Sequence, residues 1–140
     1  MRISRKLLIC LPMILLARPA LARDVVQNLA MDTPTQLGSI EAVCTGVSLD
    51  AREDPRWTAY GLKVEIVGAR GRYLAEETLR VRQGGKTLLT AVCKGPWVMF
   101  RMPAARYEVE ARLGSRSATS AAFVPRHGQG HIILRIAERR

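Results

Sequence analysis

Two histidines, His127 and His131, share the stretch RHGQGH, whose H-x3-H spacing is that of some metal sites. On a helix this spacing sets both imidazoles on one face. Gly128 and Gly130 oppose a helix, and in an extended chain residues four apart stand about 13 Å apart, too far for one ion. A serine nucleophile needs a base and an orienting acid, and neither GxSxG nor SxxK occurs. Asp50, Glu53 and Asp54 are close enough for acid–base work, yet Arg52 and Pro55 among them fit helix capping and a solvated surface. GARGR (68–72) and QGGK (83–86) are glycine-rich, but neither carries the Lys-Ser/Thr pair and following helix of a phosphate loop. Both read as hairpin turns. No catalytic, cofactor-binding or metal-binding residue is therefore expected.

The chemistry that remains is recognition and cross-linking. Trp57, Tyr60, Tyr73 and Trp97 are aromatics that could stack on sugar rings or anchor a partner beside arginine; core packing is the competing reading. Arg70, Arg72, Arg80 and Arg82 could supply cationic charge from neighbouring turn and strand positions. Cys44 and Cys93 are the cysteines outside the first ten residues. In an oxidising compartment they make one disulfide, while a reactive thiol would lack the resolving partner of a CxxC site.

The compartment follows from MRISRKLLICLPMILLARPALA. Arg2, Arg5 and Lys6 precede an apolar run from Leu7 to Leu16, and Ala20-Leu21-Ala22 closes it. Residues 1–22 read as a secretory signal peptide cleaved before Arg23, and the expected location is the periplasm. Arg18 and Pro19 stop the run short of the roughly 20 apolar residues that span a bilayer, so no transmembrane span is expected after cleavage. The 140-residue chain carries a formal +10; losing four basic residues leaves 118 residues with 18 basic and 12 acidic, a charge of +6. Such a surface attracts anionic envelope glycan or lipid, or is simply solvated; export excludes nucleic acid as a partner.

The elements that position these residues follow from period. Residues 23–38 have no sustained period and read as a loose N-terminal segment ahead of one domain over 39–140. GSIEAVCTGVSL alternates as a strand that turns Cys44 inward. Asp50 with Glu53, and Asp54 with Pro55, predict one or two short helical turns near 50–60. LKVEIV, TLRVR, TLLTAVC, RYEVEAR, RSATSAAFV and HIILRI then alternate with period two, and QGGK closes a hairpin. Between them, CKGPWVMFRMP puts Val98, Phe100 and Met102 on one face before Pro103 interrupts the ladder. Seven to eight short strands with no long amphipathic helix predict an all-β, seven- to eight-stranded antiparallel β-sandwich.

Tyr60 with Leu62, Tyr73-Leu74, Gly95-Pro96-Trp97, Met102-Pro103 and Tyr107-x-Val109 carry a resemblance in their order and spacing, over about 75 residues from Tyr60 to Ile136. The chain resembles carboxypeptidase regulatory-like domains, in particular small exported bacterial proteins of that group. The resemblance implies a transthyretin/immunoglobulin-like sandwich, an exported non-catalytic role, and no catalytic residues to carry over. It departs at Ala105, where the family's hairpin has glycine, so the turn there must avoid positive φ or carry strain. A purine-degradation hydrolase with a transthyretin-like fold uses histidines near its start and middle; this chain has none before His127. The expected function is an interaction module for an envelope protein, with binding of anionic envelope glycan or lipopolysaccharide as the alternative.

Overall fold

A computed structural model describes residues 25–74 and 76–137, so the expected signal peptide over 1–22 lies outside the described residues. The strands are β1 (Val26–Asn28), β2 (Thr35–Leu37), β3 (Ile40–Thr45), β4 (Leu62–Gly68), β5 (Glu77–Gln83), β6 (Lys86–Cys93), β7 (Trp97–Arg101), β8 (Ala105–Leu113), β9 (Arg116–Val124) and β10 (Gly130–Ile136). They form two five-stranded sheets, ordered β1-β6-β5-β8-β9 and β10-β4-β7-β3-β2. The fold is the expected all-β sandwich with a short helical turn. Residues 25–38, which show no period in the sequence, add the three-residue strands β1 and β2, one at an edge of each sheet. β1 joins β6 and β10 joins β4 in parallel, so each sheet is antiparallel except at one edge.

Alternation decides what lies between the sheets. From one side come Leu79, Val81, Ala91, Val109 and Ala111; from the other come Ala42, Leu62, Val64, Ile66, Val98 and Phe100, all fully buried. Cys44 of β3 and Cys93 of β6 belong to opposite sheets and are joined by a disulfide with 5.4 Å between Cα atoms. The β6–β7 turn is fitted to that bridge. The Gly95 N–H points at both sulfurs, 3.2 Å from Cys44 Sγ and 3.3 Å from Cys93 Sγ. A Cβ on Gly95 would stand 2.6 Å from the Thr45 carbonyl oxygen, so only glycine fits there.

The hairpin glycines behave as the sequence demands, with φ of +57° at Gly84 and +78° at Gly85. At Ala105 the chain avoids the left-handed region by entering β8 directly. Tyr107 secures that corner, its hydroxyl donating to the Pro103 carbonyl at 2.7 Å.

Between β3 and β4 the chain makes α1 (Leu49–Arg52) and a 3-10 turn (Pro55–Ala59). Asp54 caps the second, accepting from the Arg56 N–H at 2.9 Å with Pro55 at the first position. The first is capped by Ser48, which corrects the Asp50–Glu53 expectation. Ser48 is the last extended residue before the helix, and its Oγ accepts from the Ala51 N–H at 3.1 Å. Asp50 sits inside the first turn, where its charge favours the exposed N–H groups. A Ser48→Ala variant should lose about 1 kcal/mol in urea unfolding, while Asp50→Ala loses a few tenths.

Candidate functional site

The helical connection covers the outer face of the β10-β4-β7-β3-β2 sheet. Trp57 and Tyr60, three residues apart on a 3-10 turn, fall on one side of it and bury against Val43 and Met99 as a second small core. Trp57 Nε1 donates to the Ala51 carbonyl at 2.6 Å, and the Tyr60 hydroxyl donates to the Glu41 carboxylate. Gln129 Nε2 donates to the carbonyls of both Trp57 and Tyr60 at 2.9 Å, tying the loop before β10 to this segment. Burial, with Glu41 beside it, pushes the Tyr60 phenol up to about 12. These two aromatics are packing residues, not an exposed recognition patch.

Tyr73 is the exposed member of the set, at 39%. Its ring meets Trp97 edge-on at 6.4 Å, and the Arg52 guanidinium lies 4.8 Å from the Tyr73 centroid. Lys63 Nζ stands 3.4 Å from the Trp97 centroid and 2.8 Å from Glu65. Gly46, with φ of +95°, lies against Trp97; a Cβ there would come within 2.7 Å of the indole. Aromatic faces in this corner are already occupied by the protein's own cations. His131, on β10, points Nε2 at Glu65 at 3.4 Å, while His127 lies in the loop before β10. Among the described residues no group of three or more His, Cys, Asp or Glu is placed to hold a metal ion.

The four arginines do not converge. Arg70 and Arg72 lie on the β4–β5 connection, whereas Arg80 and Arg82 project from the outer face of β5 in the other sheet. There they meet acidic residues of β8: Arg82 lies 3.3 Å from Glu108, and Arg80, Arg82 and Arg112 surround Glu110 at 3.9, 4.0 and 3.7 Å. At the hairpin end of this face a groove of about 550 Å³ opens between Arg82, Gly84, Thr87, Arg106 and Ala121. Arg106 and its cross-strand neighbour Phe123 were not apparent as site residues from composition. The signal was the alternation of AAFV: with Ala122 and Val124 inward, Phe123 must face out.

A second feature is the edge of β6. β1 pairs only with Thr90–Val92, and among the described residues no strand pairs with Lys86–Leu89 on that side. An opening of about 280 Å³ lies alongside, lined by Val25, Leu37, Leu88 and Leu89 among others. The opposite side of the sandwich is drawn together, because Arg116 at the start of β9 donates to the Ala137 carbonyl beyond β10.

Glu77 is the remaining titratable group of note. It begins β5 opposite Cys93, is fully buried, and among the described residues neither carboxylate oxygen meets a hydrogen-bond partner on another residue. Burial pushes its carboxyl up to about 8.

The fold and surfaces thus define a disulfide-joined two-sheet β-sandwich in which, among the described residues, β1 covers only part of the β6 edge, and the outer face of the same sheet carries a groove. Among known proteins, the chain matches no family model and no curated sequence. Among the described residues no helix is long and apolar enough to cross a membrane.

Proposed function

We propose that this chain is a non-catalytic binding module of the bacterial envelope, of the carboxypeptidase regulatory-like kind, exported to the periplasm by its leader. It recruits an envelope protein by strand addition. The observation that carries the reading is the β6 edge: among the described residues no strand pairs with Lys86–Leu89 on that side, and an opening lined by Val25, Leu37, Leu88 and Leu89 together with Gln27, Gln36 and Thr90 lies alongside, on a sandwich joined by the Cys44–Cys93 bridge. Edges of this kind take up an extended segment of another chain, with ladder hydrogen bonds giving affinity and side-chain pockets giving selectivity.

A photo-crosslinking residue placed at Leu88 should capture one envelope protein in intact cells, and the yield should hold when isolated envelopes are irradiated at high ionic strength. The same residue at Arg70 serves as control. Equal capture from both positions, or failure of Leu88 capture when irradiation is done in high salt, would refute strand addition.

A second reading, binding of anionic envelope glycan or lipopolysaccharide, is favoured by the groove on the outer face of the same sheet. Its arginines there are Arg82 and Arg106.

A further inference from the structure

We infer that the outer face of the β1-β6-β5-β8-β9 sheet binds a saccharide ring carrying an anionic substituent, with Arg106, which lines the groove there, as the partner of the anion and Phe123, across from Arg106 on β9 and just outside the groove's lining, as the stacking platform. This rests on the second reading above and sharpens it to named residues.

Phe123 is 66% exposed on β9, and the other outward residues of that strand, Ser117, Thr119 and Ala121, are small. Its ring therefore stands clear of the sheet. Every other aromatic outside the main core has a cation over its face: Arg56 on Trp57, Arg101 on Tyr60, Arg52 on Tyr73, and Lys63 on Trp97. Among the described residues no cation lies over Phe123, so its face is available to a ligand. Stacking of a sugar's C–H face on a flat apolar ring requires such an open surface.

Arg106 sits directly across from Phe123 in the β8–β9 pairing, so their Cβ atoms are about 5 Å apart on the same face. The other arginines of this face, Arg80, Arg82 and Arg112, each have a carboxylate of Glu108 or Glu110 within 4.0 Å. Arg106 has no acidic partner among the described residues. Its planar fork of donors matches a carboxylate or phosphate held beside the ring. The groove it lines is of a size that takes small ligands, and Gln83 and Thr87 add an amide and a hydroxyl suited to sugar hydroxyls.

The position also argues against a peptide here. β5 and β8 are paired on both sides, so the groove offers no free backbone ladder and recognition rests on side chains. The anionic sugar has two sources, a soluble polyuronate or the phosphorylated glucosamine headgroup of a lipid.

The test is titration of the exported chain with four probes: tetragalacturonate, its neutral methyl ester, vesicles bearing a phosphorylated diglucosamine lipid, and polyglutamate. Tetragalacturonate or the vesicles should bind at least tenfold tighter than the ester and polyglutamate, and whichever binds tighter identifies the source. Phe123→Leu, which keeps an apolar side chain but removes the flat face, and Arg106→Gln should each weaken binding about tenfold with thermal midpoint unchanged. Arg112→Gln should change it less than threefold. Binding that survives Phe123→Leu, equal binding of polyglutamate, or binding of neither sugar probe would overturn the inference. In the last case an intact Leu88 crosslink would leave strand addition standing, whereas sugar binding without that crosslink would do the reverse.

Discussion

Replacing Glu77 by glutamine should flatten the dependence of stability on pH across the window in which the native chain loses stability, from about 4.5 to about 8. The sign follows from burial. The folded chain holds the Glu77 proton up to about pH 8, while the unfolded chain releases it near 4.5, so between these values the folded state binds more protons. The stability contributed by the neutral acid is complete below 4.5 and is lost as pH rises through about 8. At up to about 1.4 kcal/mol per pH unit, the loss amounts to several kcal/mol, a large fraction of what a single domain has. Asp54 works the other way, because its hydrogen bonds with Arg56 hold its pKa down. Urea unfolding between pH 4.5 and 8.5 gives the test: native chain and Glu77→Gln should differ in slope, and Glu77→Met should gain on the order of 2 kcal/mol at pH 8. Parallel curves for native chain and glutamine variant would mean that the carboxyl is solvated in the folded state.

The second large effect concerns the bridge between the sheets. Removing it by a Cys44→Ala, Cys93→Ala double variant should cost about 4 kcal/mol, since closure of a loop with a sequence separation of 49 restricts the unfolded chain by about that much. For a domain of this size the midpoint should fall by roughly 15 °C or more. Thiol labelling of the non-reduced, denatured protein should find no free cysteine from this pair. Two reactive thiols, or a change in midpoint of only a degree or two, would contradict a disulfide that holds the sheets together.

Most of the sandwich could be read from period two. The outward charges and inward apolar residues of LKVEIV and RYEVEAR assign β4 and β8 without any tertiary information. β1 and β2 escaped because three residues cannot display a period, and β1 owes its existence to β6, more than sixty positions along the chain. Trp57 and Tyr60 looked like recognition residues because strand alternation did not explain them. The 3-10 turn does, by stacking positions three apart on one side.

Charge was harder still. Alternation places Arg80 and Arg82 outward, but nothing local says that Glu108 and Glu110 will stand opposite, because the β5–β8 pairing skips two intervening strands. Glu77 was legible in principle. Continuing the alternation of Leu79 and Val81 back by one step puts it on the inner face, at odds with its charge, and that conflict marks the residue.

The strand order of the β10-β4-β7-β3-β2 sheet also sets how the chain can fold. Its central strand, β7, lies between β3 and β4, which precede it in the sequence and do not pair with each other. Until the chain is available as far as Arg101, β4 has no neighbour on that side and β3 has only the three residues of β2. Assembly therefore waits on pairings of long sequence separation, the condition for slow folding and for prolonged exposure of unpaired strands. Closure of the bridge, which needs Cys93 of β6, falls late in the same interval, so the strands of both sheets stay unjoined until most of the chain is present.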